Sequence, residues 1–472
     1  MQNVVNVITN SQNPFDIETV PSELVNIITG QVASPEVAKS LTGFLDEGRQ
    51  KHTEFMEKRL APVSKSVSFW DPETRKKIVT FADMKKSINI DKDTKKLMID
   101  SEVLFRRLLA VSKQRNVNME TVLQHELAVI PPALFYDDGN MRKCVKADLA
   151  SKLESTTEEI LELPPFDGQG IYIYDGMALL QGIHETQFNT FRDIAQLILR
   201  KIVALLNNSW NIKSVVLVFD RYDVPHSVKY QERQRRGGTS AVATHVIAPD
   251  RVVPHYRNFL KNSANKANLA AFISQSLLDD PPGLINGQSI TLAGGFPEAE
   301  RVVTIDSNGK RNLLRLFSTQ EEADTRMLLH AIDLASSHER LIVKSDDTDV
   351  LVLLVYYLNE GKLPKLTYMH SGHTGQRTNR ERFIPVHSIC QNVGENVARA
   401  LPSAHALTGC DSTSSLYKIG KKTAFSKLVQ YAEDLPALST LGTTPDLTEN
   451  LQDARRYTLA LYGNPIATYV QP

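Results

Sequence analysis

Seven carboxylates are spaced along the chain in a pattern that suits one kind of chemistry: Asp175, Asp220, Glu322, Asp324, Asp347, Asp349 and Asp411. Asp175 and Asp220 end the apolar runs IYIYD and VVLVFD, and Asp347 and Asp349 follow LIVKS. Runs of this length and composition read as buried strands, and in a parallel α/β sheet ligands collect at the carboxyl ends of the strands. These four acids are therefore expected on one edge of a sheet. Glu322 and Asp324 open a helical period over about 321–336, in which Asp324 shares a stripe with Met327, Leu328, Ala331 and Leu334 and so turns inward. Asp411 lies further on, in HALTGCDSTSSLYKIGKKTA. Taken singly, each acid has an ordinary structural role. Thr319-x-x-Glu322 makes a capping box, the run 345–349 offers helix caps, and Asp175 or Asp220 ends a strand. Taken together they do not, because like charges a few ångström apart in a low dielectric require protons or cations. Oxygen donors without organised Cys or His favour Mg²⁺ or Mn²⁺. Two such ions cancel four of the seven charges and contact both the attacking and the leaving oxygen of a phosphodiester. The chemistry implied is phosphodiester hydrolysis.

The elements that must position these groups follow from periodicity. The chain has 472 residues, 42% apolar and 23% charged, which is a globular composition long enough for two to four domains. Residues 1–166 read as a mostly helical region. Ser34 and Pro35 cap and open a helix with apolar residues at Val37, Leu41, Phe44, Leu45, Phe55, Met56 and Leu60, and a second helical stretch over about 101–129 is broken by Pro131-Pro132. No chemical motif is legible there. Beyond Pro164-Pro165, strand-like runs alternate with helical periods, the signature of an α/β domain with a mostly parallel sheet. Strands are expected at 171–174, 215–219 and 341–344, with a hairpin over 289–293 and 301–305 and a further strand at 313–317. Past Pro436 the pattern is less regular, and 436–472 reads as a tail.

The blocks IYIYDGMALL, VVLVFDRYDVP, QEEADTRM, KSDDTDVLVLL and TGCDSTSSLYKIGKKTA come in a fixed order. From about 167 to 435 the chain resembles the nuclease core of the flap endonuclease/XPG superfamily, a branch of the PIN-like fold. That pattern is a strand ending in Asp and a small residue, a strand ending in VFDG, an E-A-E-A helix start, a D-x-D after the next strand, and G-x-D before a helix-two-turn-helix with G-I-G-x-K-x-A. Here Asp324 is one methylene shorter than the second Glu of its block, Lys418 replaces the first glycine of the turn, and Lys421 replaces the usual proline. The resemblance implies a metal-dependent nuclease acting on branched or free-ended DNA, with the seven acids as ligands for two Mg²⁺ or Mn²⁺ ions. It also implies a basic helix over the scissile phosphate. VPHSVKYQERQRRGG fits, with Lys229, Arg233 and Arg236 on one face, and residues 237–317 take the place of the arch or cap. Lys418, Gly420, Lys421 and Lys422, with Lys427 close by, mark the nucleic-acid contact of the helix-two-turn-helix.

Other signals are weaker or exclusive. His370-x-x-His373 and His387-x-x-Cys390 have zinc-knuckle spacing, but HSICQNVGENVARAL reads as an amphipathic helix and His370 as part of a polar loop. His405 precedes Asp411 by six residues and reads as a packed or capping histidine. The longest uncharged apolar run, 350–358, is too short to cross a bilayer. The first twenty residues lack the features of a secretory signal, and three scattered cysteines fit a reducing, intracellular setting, nuclear or cytoplasmic. Lys plus Arg equals Asp plus Glu at 54 each, so any affinity for an acidic partner must be local. A catalytically inactive nuclease-like scaffold that binds nucleic acid or protein is the alternative expectation.

Overall fold

The computed structural model describes residues 24, 33–60, 78–80, short stretches between 104 and 127, 131–136, 139–222, 244–372, 381–443, 445 and 447–463. The chain divides into two compact units, one of residues 1–132 and 137–140 and the other of 133–136 and 141–472. In the first, the expected cap is present. Ser34 Oγ accepts the Val37 N–H at 3.3 Å and opens the helix Pro35–Thr42, followed by the helix Phe44–Phe55.

The second unit is built on one eight-stranded sheet. In chain order the strands are β1 (Gly170–Asp175), β2 (Ile212–Val218), β3 (Ser289–Ala293), β4 (Val302–Asp306), β5 (Gly309–Asn312), β6 (Arg340–Lys344), β7 (Leu366–Ser371) and β8 (Arg382–Pro385). Their spatial order is β5-β4-β3-β2-β1-β6-β7-β8, with the five central strands parallel and β4, β5 and β8 antiparallel at the two edges. The central strands are apolar on both faces because helices cover both. Ile171, Ile173, Val216, Val218 and Val343 face the helices Ala323–Leu334, Thr348–Asn359 and Glu395–Leu407. Tyr172, Tyr174, Val215, Leu217 and Ile342 point the other way, onto the helices Phe191–Leu206 and Ser263–Asp279. The class is α/β, as the alternation of strand and helix periods implies.

Several elements depart from expectation. Residues 289–306 do not form part of an arch or cap, since β3 pairs in parallel with β2 and carries β4 beside it. The run 313–317 is not a strand. It makes a 3₁₀ turn at Leu314–Leu316 that sends Leu316 into the core. The amphipathic helix after β8 is two helices, Val386–Val393 and Glu395–Leu407, broken at Gly394, whose φ of +83° a helix cannot accommodate. The helix Ala147–Glu154, expected in the N-terminal region, places Leu149 and Leu153 in the core of this unit. The helix Thr448–Leu461 is likewise integral and not a tail. Its Tyr457 is buried and donates its hydroxyl to the Ala424 carbonyl at 2.8 Å. Among the described residues no helix is long and apolar enough to cross a membrane.

One small residue sets how closely the central strands carry their loops. Gly176 opens the helix Gly176–Gln181 directly after β1, and a Cβ there would lie 2.5 Å from the Phe219 ring and 2.9 Å from the Val218 carbonyl oxygen. Gly176→Ala should therefore lower stability by about 2 kcal/mol or more through overpacking. Thermal or urea melts of the two proteins check this, and equal midpoints would mean that the contact is not tight.

Candidate metal centre

The acids gather where the parallel strands end. β1 lies between β2 and β6, so Asp175 at its end has the acid after β2 on one side and those after β6 on the other. Asp175 caps the helix that follows it, with Oδ1 accepting from the Met177 and Ala178 N–H groups at 2.8 and 3.0 Å. Asp220 reaches across the edge. Its Oδ1 accepts from Ala323 N–H at 2.8 Å, which ties the strand end to the start of the helix Ala323–Leu334. That helix has Glu322 at its N-cap and a buried Asp324 in its first turn, so both acids open it as expected.

Past β6 the run SDDTD divides its labour. Asp346 lines the same cleft as Asp175 and Asp347 and accepts from Ser371 Oγ at 2.7 Å and Gly372 N–H at 2.6 Å, holding the ends of β6 and β7 together. Asp347 caps the helix Thr348–Asn359, accepting the Asp349 N–H at 2.9 Å. Carboxylate oxygens of Asp347, Asp349 and Asp411 all lie within 4.8 Å of one another, among the described residues the one group of three acids this close. Asp347 is thus a cap and a member of the cluster at once. The loop bearing Asp411 is pinned at its base by Gly409, which has a φ of +101° and no room for a Cβ, 2.7 Å from the Ser415 Cα.

Two further side chains complete this side, and one of them has no motif behind it. Lys146 Nζ lies 3.0 Å from Asp347, 3.2 Å from Asp349 and 2.8 Å from Asp411. Burial opposes the charge of this ammonium, but the three carboxylates outweigh it and hold the lysine above its ordinary pKa. Nothing in MRKCVKADLA announces the role, because the contact spans more than two hundred residues of chain to Asp347. His405 places Nε2 2.8 Å from Asp349 Oδ1. The carboxylate is acceptor-only, so the imidazole donates. Burial lowers the His405 pKa, against the Asp349 hydrogen bond and charge that raise it. For Asp349 itself, burial would raise the carboxyl, but the His405 hydrogen bond and the Lys146 charge prevail and bring it down to about 2.

Asp175 has the opposite balance. Burial first, and the nearby Asp220 and Asp347 charges next, push its carboxyl up to about 6 against the two backbone hydrogen bonds. The edge therefore has a compensated side around Lys146 and an electrostatically strained side around Asp175. An all-oxygen set of this kind fits a hard divalent cation.

The site opens into a cleft of about 1430 Å³. Lys146, Asp175 and Asp347 line it together with Lys201, His255, Arg257, Lys261 and Lys344, so carboxylates and cations share one concavity. The basic residues picked from the sequence are placed less simply. Lys229, Arg233 and Arg236 lie outside the described residues. Lys418 and Gly420 are exposed, and Lys422, also exposed, lies 3.3 Å from Asp148. Lys421 is not available to a phosphate from solvent. It is buried, with its ammonium donating to the His405 carbonyl at 2.7 Å and Thr408 Oγ1 at 3.0 Å, so it braces the Asp411 loop from below. His370 sits in β7 and not in a polar loop. Its Nδ1 is 2.5 Å from the Tyr172 hydroxyl and its Nε2 2.8 Å from Glu381, while His387 hydrogen-bonds to the Thr367 carbonyl at 3.0 Å. His373 lies outside the described residues, and among the described ones His370, His387 and Cys390 are not drawn together as metal ligands.

A domain of unknown function, DUF8702, matches residues 1–126. No curated protein matches the chain. Among solved structures, the catalytic core of Rad2 in complex with DNA substrate is similar in two crystal complexes. One is 14% identical with a TM-score of 0.32, covering 67% of this chain and 78% of that one. The other is 15% identical with a TM-score of 0.31, covering 66% and 79%.

The raised carboxyl of Asp175 makes stability depend on pH with a definite sign. Because the folded pKa of about 6 exceeds the unfolded value, the folded state holds the proton more tightly. Its contribution is full below about pH 4 and lost as pH rises through 6. Asp175→Asn keeps an acceptor for both backbone N–H groups and removes the titration. In EDTA the variant should gain about 2 kcal/mol over wild type at pH 7 compared with pH 4. Urea melts across this range check it, and parallel pH curves would mean that Asp175 is not strained.

Proposed function

We propose that this chain is a divalent-metal-dependent nuclease that hydrolyses phosphodiester bonds, in DNA with branched or free-ended structure, at the carboxyl edge of its sheet. The observation that carries this reading is the gathering of Asp175, Asp220, Asp347, Asp349 and Asp411 at one end of the parallel strands, with Asp175 and Asp347 lining a cleft that also carries Lys201, Arg257 and Lys261. A structural role alone does not account for it, since helix capping needs one acid per helix and not a cluster. The five ordered sequence blocks support the same chemistry.

Mg²⁺ or Mn²⁺ would be held by oxygen donors from among these acids, with Asp175 and Asp220 at the ends of β1 and β2 the first of them. When bound, such an ion acts as a Lewis acid toward a phosphoryl oxygen. The rest of the work falls to the chain. Lys201, Arg257 and Lys261 line the cleft and suit phosphate contacts that position a strand without reading its sequence. Lys229, Arg233 and Arg236 would stabilise charge developing on the phosphate, and Lys418, Gly420 and Lys422 would contact the backbone further along. The second reading, an inactive scaffold that binds nucleic acid without cutting it, is favoured by one observation: a lysine already sits among three of the acids.

The test is a cleavage assay on labelled flap, duplex and single-stranded DNA and on RNA, with Mg²⁺, Mn²⁺ or EDTA, for wild type and Asp220→Asn. Asparagine keeps an acceptor for the Ala323 N–H while removing the charge. Cleavage should require the divalent ion and fall by several orders of magnitude in the variant, with DNA binding retained. Binding without any cleavage by wild type would establish the scaffold reading instead.

A further inference from the structure

Acid clusters at sheet edges draw their positive charge from ions or from the chain itself. Here one of the two sides has a chain-borne cation. The Lys146 ammonium touches all three members of the only tight acid triad among the described residues, at 2.8 to 3.2 Å. Its side chain is mostly buried, yet it lines the cleft beside Asp175 and Asp347. The residue is also held in place. It immediately precedes the helix Ala147–Glu154, whose Leu149 and Leu153 are packed in the core, so its backbone is not free to swing away. An ammonium has three N–H donors and no acceptor, and three carboxylates meet it, so each donor has a carboxylate to face and the position at the centre of the triad is occupied.

We propose that Lys146 is the resident cation of the Asp347, Asp349 and Asp411 triad, and that it excludes a divalent ion from these three acids. A positively charged nitrogen and a divalent ion cannot both lie within bonding distance of the same three oxygens without severe repulsion. The chain then carries one fewer ion than the count of acids implies, and Lys146 presents a fixed positive charge to the cleft in place of that ion. The part of this inference that assigns the charge to a phosphodiester rests on the nuclease reading. The exclusion of the ion does not.

The experiment counts bound Mn²⁺ on the full chain by electron paramagnetic resonance of the free ion, at pH 7, for wild type, Asp411→Asn and Lys146→Gln. If Lys146 holds the triad, Asp411→Asn should bind as many ions as wild type with affinity within about twofold, since no ion uses Asp411. Lys146→Gln should bind one more ion per chain than wild type. Loss of an ion in Asp411→Asn overturns the proposal, and so does an unchanged ion count in folded Lys146→Gln. Asp411→Asn retains the contacts of Lys146 with Asp347 and Asp349, so it decides the matter even if Lys146→Gln does not fold. The count is independent of catalysis. Absence of cleavage under all conditions would remove the nuclease reading while leaving the ion count to judge Lys146.

Discussion

The constraint on which this molecule turns is electrostatic: carboxylates brought together at one end of a parallel sheet must be compensated there or remain uncharged. Charges that would cost little in water become expensive when the strands carrying them are buried on both faces. The chain meets this cost with three kinds of hydrogen-bond donor. Backbone N–H groups at helix starts meet Asp175, Asp220 and Asp347, where the helix dipole also favours a negative charge. An imidazole, His405, donates to Asp349. One ammonium, Lys146, serves three acids at once.

Compensation is uneven, and the unevenness carries the chemical interest. On the β6 side, lysine and histidine hold Asp349 firmly ionised. On the β1 side, the Asp175 carboxyl is pushed up to about 6 by burial and by its neighbours. The less compensated side is where an added cation gains most, because it relieves a repulsion that the folded chain otherwise keeps. One side thus carries a chain-borne ammonium among its acids, while on the other a buried carboxyl holds its proton more tightly.

The surrounding fold serves this arrangement through tight contacts more than through regular structure. Gly176 lets the loop after β1 lie against Phe219. Gly409 lets the Asp411 loop fold back on Ser415, and Lys421 seals the base of that loop. Lys421 shows how the same residue type changes meaning with burial. A lysine at the start of a helix in a basic run reads as a phosphate contact, but this one spends its donors on a carbonyl and a threonine hydroxyl inside the protein. The added edge strands β4 and β5 likewise extend the sheet with residues that the family resemblance assigned to a substrate cap.

What the sequence by itself determined is the class of the fold and the position of acids at the strand ends. Apolar runs ending in Asp place carboxylates at strand ends whatever the details of packing, because strand length and side-chain alternation are local properties. The period of the helices is local in the same sense, so β1, β2, β6 and the helix Ala323–Leu334 were legible. Local reading fails where the partner is remote. Nothing near Lys146 in the chain indicates that it meets Asp347, Asp349 and Asp411, and nothing in 289–293 shows that this strand pairs with β2. The break at Gly394 and the inward turn of Lys421 are decided by what packs against them. Charge compensation depends on distances through space, which only the tertiary structure sets. The sequence could therefore announce that the acids need a cation, while the folded chain decided which of them already have one.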